Sequence, residues 1–120
     1  MHLLRSTIGL TTIAAALLLA QPPDQTRTKE AALKSTLLTL RQAINKYTVD
    51  QHKAPQMLRD LIVNGYVGSI PADPMTGKNS TWRVVMEDPA KSADRKEPGI
   101  FDVHSGSDAI SSDGTRYADW

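Results

Sequence analysis

The sequence predicts an α+β fold, in which a long N-terminal α-helix packs on a small antiparallel β-sheet, with a short second helix and a C-terminal loop. Three observations carry this. Leu33, Leu37, Leu40, Ile44 and Tyr47 recur at spacings of four and three, the period of one helix face. Two segments rich in β-branched and aromatic residues, Thr81–Met86 and Gly99–His104, follow close together. No internal repeat is present, so neighbouring strands pair antiparallel with the helix laid across them. The chain has 120 residues, 40% apolar and 22% charged, which suits one ordinary globular domain plus an N-terminal extension.

Residues 1–20 read as a leader. Met1–Arg5 carries one basic residue and precedes the apolar run Ile8–Ala20, 13 residues interrupted by Thr11 and Thr12. A membrane span needs roughly 20 apolar residues and a signal-peptide core about 7–15. On length this is a secretory signal cleaved after Ala20, leaving Gln21 first. Pro22 and Pro23 then interrupt any continuous helix. Residues 21–28 read as a linker or helix start, with Asp24, Thr26 and Thr28 all able to cap. Residues 29–120 form the folded domain.

From Lys29 to about Gln51 the pattern is helical, with Ala43 and Leu38 widening the apolar stripe. A helix of about 24 residues spans about 36 Å, at roughly 1.5 Å per residue. The stripe buries its own domain's core, or lends part of itself to other subunits. Ala54-Pro55 ends the helix, because a residue before proline avoids helical geometry. Gln56–Asn64 reads as the short second helix, with Gly65 as its left-handed terminator. Ile70–Gly77 is a turn-rich connector, Glu87–Pro98 an exposed loop and Ser105–Thr115 a Gly/Ser/Asp loop. Arg116–Trp120 reads as a last short strand or edge segment.

Several segments taken in order carry a family resemblance. They are Lys29–Lys34, Leu40–Tyr47, Leu58-Arg59-Asp60-Leu61, Gly65-Tyr66, Ile70-Pro71-Ala72-Asp73-Pro74 with Thr76-Gly77, and Trp82. Asp102–Ser107, Asp113-Gly114-Thr115 and Trp120 complete the set. Together they resemble the major pseudopilin of type II secretion, within the type IV pilin-like superfamily, over roughly Lys29 to Trp120. The resemblance implies a pilin-like head on a helical stem and no catalysis. It implies a structural role in a periplasmic pseudopilus that supports export across the outer membrane. Its partners would be other pseudopilin subunits, the secretion machinery and, through the N-terminal segment, the inner membrane. In this reading Gly9 is the last leader residue and Leu10 the first mature one. Ala14 stands where the family carries glutamate, and the apolar stem is shorter than the family's. A soluble exported module that does not polymerise is the alternative.

Relatives of the family bind calcium in the C-terminal loop, which makes Asp108, Asp113 and Ser105 candidate ligands here, with Asp102 a weaker one. Hard oxygen donors on a flexible loop suit Ca²⁺, although Ser/Gly/Asp is also ordinary turn chemistry. Other chemistries find little support. The net charge is +1 with no dense basic run, and aromatic residues are few, so no nucleic-acid partner is nominated. The absence of cysteine excludes disulfides and thiol catalysis. His2, His52 and His104 are scattered. Ser107 lacks the glycines two residues away on either side that a nucleophile elbow requires. No small-molecule substrate is implied. Trp82 and Trp120 could each anchor a partner, although sheet packing is the commoner fate of a strand Trp.

Overall fold

The computed structural model describes residues 24–120. Gly9, Leu10, Ala14, Ala20 and Gln21, on which the leader readings fall, lie outside the described residues. Helix α1 spans Asp24–Gln51, 28 residues, so positions 24–28 of the expected linker or helix start are helical. Its stripe is buried as the spacing requires: Leu33, Leu37, Leu40, Ala43, Ile44 and Tyr47 all enter the core. Leu38 does not widen the stripe. It is 57% exposed, because it sits one position past Leu37 and is rotated roughly 100° away from it. The helix ends ahead of Ala54-Pro55, where His52 adopts a left-handed φ of 59°.

Helix α2 spans Arg59–Val63, shorter than the expected Gln56–Asn64. The Asp60 carboxylate explains the late start. It accepts the Gln56 N–H at 2.9 Å and the Met57 N–H at 3.3 Å, holding those residues as a turn. At the other end Gly65, at φ 79°, donates to Ile62, and Tyr66 donates back to Leu61 at 2.8 Å. This paired closure is the glycine terminator that the sequence predicts.

Strands β1, Arg83–Met86, and β2, Ile100–His104, pair antiparallel as a two-stranded sheet. Arg83 lies opposite His104, Val84 opposite Val103 and Val85 opposite Asp102; the ladder then slips so that Met86 meets Ile100. Strand β2 packs against α1, while β1 forms the outer strand. Ile100 and Val103 are buried in the core with Leu61, Trp82 and Tyr117. Trp82 lies just before β1, and its indole N–H donates to the Pro71 carbonyl at 2.8 Å, tying the connector to the sheet.

The last segment differs from its expectation. Arg116 makes a single bridge to Ile110, and Tyr117–Asp119 form a 3-10 turn instead of a strand. The Asp119 N–H donates to Arg116 and the Trp120 N–H to Tyr117, both at 3.0 Å. Tyr117, the first residue of this turn, is buried in the core.

Candidate functional site

The polar chemistry of the molecule gathers where the C-terminal loop meets α1 and the connector. At the connector, Asp73 is fully buried. One of its carboxylate oxygens accepts the Ser105 hydroxyl at 2.7 Å and the Gly106 N–H at 2.9 Å. The other accepts the Met75 N–H at 2.8 Å. A buried carboxylate needs such donors, because an unpaired one costs several kcal/mol or more. Ser105 is therefore turned inward and committed to Asp73. Gly106 fits this crossing because a Cβ there would collide with the Thr81 carbonyl oxygen.

The two acidic residues of the loop have separate partners. Asp108 pairs with the Arg83 guanidinium at 3.0 Å, which lowers its carboxyl pKa and raises that of the arginine. Asp113 accepts the Ser111 hydroxyl, the Thr115 N–H at 3.0 Å and the Thr115 hydroxyl. These hydrogen bonds, Ser111 first, depress its pKa to about 2. Ser105, Asp108 and Asp113 thus do not converge on one point. Among the described residues no group of three or more acidic or histidine side chains could hold a metal ion. Each candidate ligand is engaged by donors of the protein itself: Ser105 with Asp73, Asp108 with Arg83, and Asp113 with Ser111 and Thr115.

A third carboxylate reaches this loop from the helix. Glu30, 8% exposed, accepts the Ser112 N–H at 2.8 Å, the Ser112 hydroxyl at 2.6 Å and the Tyr117 hydroxyl at 2.9 Å. The Ser112 hydroxyl is the largest cause of its lowered pKa. Burial and the same carboxylate raise that of Tyr117.

About three helical turns further on, Arg41 donates to Asp102 at 2.7 Å, to the Val103 carbonyl at 2.9 Å and to the main-chain oxygen of Trp120 at 2.7 Å. Its planar guanidinium holds the strand and Trp120 in one fixed geometry. Asp102 is thereby occupied by Arg41 and, at 3.5 Å, by His104. Lys34 sits 4.8 Å above the Trp120 ring. Lys34, Leu37, Leu38, Arg41 and Trp120 border an open groove of about 590 Å³ between α1 and the C-terminal segment. Trp120 itself packs edge-on against Tyr117.

Glu30, Arg41 and Asp73 received no role from the sequence alone. A faint signal exists for Glu30: it stands three residues before Leu33, at the N-terminal end of the apolar stripe. Arg41 follows Leu37 by four, again at the stripe's edge. Asp73, flanked by prolines, reads as ordinary turn chemistry. His104 and Ser107 form no catalytic pair: the His104 imidazole lies beside Asp102, and the Ser107 hydroxyl accepts the Ala109 N–H at 3.2 Å.

Comparison with protein-family models, curated proteins and solved structures finds no match to this chain. Among the described residues no helix is long and apolar enough to cross a membrane.

Proposed function

We propose that this chain is a structural, non-enzymatic subunit of a type II secretion pseudopilus or a type IV pilus-like apparatus, with a pilin-like head on a helical stem. The observation that carries the reading is the packing of α1 on β2 through Leu33, Leu37, Leu40 and Ile44, with the C-terminal segment folded back onto the same helix. The connector and loop segments that resemble the family meet at one place, where Asp73 binds Ser105 and Gly106. The subunit would work by mechanical contact with its neighbours, at the inner membrane and in the periplasm. Its partners would be other pseudopilin subunits and the secretion machinery, with neither a nucleic acid nor a small-molecule substrate.

A second reading, a soluble exported module with the same head that does not polymerise, is favoured by the shortness of the 13-residue apolar run. Two measurements on the full chain, expressed in a bacterium that carries a prepilin peptidase, separate the readings. N-terminal sequencing gives Leu10 for the subunit and Gln21 for the soluble module. The chain has no cysteine, so pairwise cysteine substitutions at exposed Leu38 and Val49 introduce its only thiols. Cross-linking gives a ladder of multimers for the subunit. A mature start at Gln21 with monomers alone would overturn the assembly reading.

A further inference from the structure

The sequence pattern suggests a cation for the C-terminal loop, yet Asp108 pairs with Arg83 on β1 and Asp113 bonds within the loop itself. We infer that the loop, residues 110–115, is closed onto α1 by the Glu30 carboxylate itself, as a clasp that needs no divalent cation. The loop has an internal frame: the Ser111 N–H donates to the Thr115 carbonyl at 2.7 Å and the Gly114 N–H to the Ser111 carbonyl at 3.1 Å. Asp113 completes this frame by accepting from Ser111 and Thr115. What fastens the framed loop to the helix is Glu30, 82 residues away in the chain, through both donors of Ser112. Tyr117, 5% exposed, adds a donor from the 3-10 turn.

A cation-closed loop would gather its carboxylates around the ion. Here Asp108 is drawn to Arg83 on β1, and the carboxylate that reaches the loop comes from the stem. Charge-assisted hydrogen bonds to a carboxylate are shorter and stronger than neutral ones, and the 2.6–2.9 Å distances fall in that class. The clasp makes the first half of α1 and the C-terminal loop one mechanical unit. Displacing the helix at Glu30 therefore opens the loop, and opening the loop frees the helix. The clasp forms within a single chain, whether or not that chain assembles.

Hydrogen exchange at the Ser112 amide, which donates directly to Glu30, tests it on the full chain. Leu40, deep in α1, serves as the reference amide. In Glu30→Gln the protection of Ser112 falls about tenfold or more while Leu40 is unchanged. Should that variant not fold, Tyr117→Phe removes one donor and keeps the ring, and Ser112 protection falls by a smaller factor. In the wild type, millimolar calcium and a chelator give the same Ser112 protection and the same melting temperature. Unchanged Ser112 protection in the variant that folds, or a calcium-dependent rise in the wild type, overturns the clasp.

Discussion

Single side chains settle how the C-terminal segment is held, and charge decides most of them. Glu30 and Asp113 both have folded-state pKa values below their ordinary values of 4.5 and 3.8, the latter at about 2. A carboxyl with a depressed pKa contributes stability that is complete above its unfolded value and is lost as pH falls through its folded value. Tyr117 is shifted upward from 10.0, so its contribution is complete below that value and is lost as pH rises beyond it. Urea midpoints should therefore be level from about pH 6 to pH 9, fall as pH drops below about 4.5 toward 2, and fall again above about pH 10. In Glu30→Gln the acid limb should be shallower, because one of the three depressed carboxyls, Glu30 beside Asp108 and Asp113, is gone. An acid limb identical to that of the wild type would mean that Glu30 is not among the groups that titrate with folding.

Between elements, close approach matters more than charge. The Ile100 N–H donates to the Pro55 carbonyl at 2.7 Å, which pins the start of β2 against the turn after α1. Gly99 makes that approach possible, since a Cβ there would lie 2.6 Å from both the Ala54 and Pro55 carbonyl oxygens. Neither oxygen belongs to a flexible side chain, so the backbones must separate. Gly99→Ala should cost about 1–3 kcal/mol in denaturant unfolding. It should also lower the exchange protection of the Ile100 amide more than that of Val103. An alanine variant as stable as the wild type would show that the turn yields at no cost.

Across the described residues, one apolar core joins α1 to β2 and takes in Leu61, Trp82 and Tyr117. Leu40 has no exposure and Leu38 has 57%. Leu40→Ala should cost about 2–5 kcal/mol, from lost transfer energy and the cavity left behind. Leu38→Ala should stay within about 0.5 kcal/mol of the wild type, as an exposed substitution does. Chemical denaturation of the two variants checks this, and equal losses would place the helix in the wrong rotation about its axis. The apolar side chains still exposed at Leu38, Val49 and Val63 on the helices and at Phe101 on the sheet would then be the surfaces free for neighbours.

The α+β class, the long helix with its buried stripe, the two strands and the Gly65 terminator were all legible in the sequence. Each depends on residues within a turn or two of one another, where a period of 3.6 or 2, or a single glycine, is sufficient to select the backbone. The polar pairings were not legible. Glu30 with Ser112, Arg41 with Asp102 and Asp73 with Ser105 join residues 82, 61 and 32 positions apart. Nothing local distinguishes an Asp that binds a cation from one that caps a turn or meets an arginine. Only the tertiary structure decides that, because a carboxylate takes whichever donors the packed chain brings within about 3 Å.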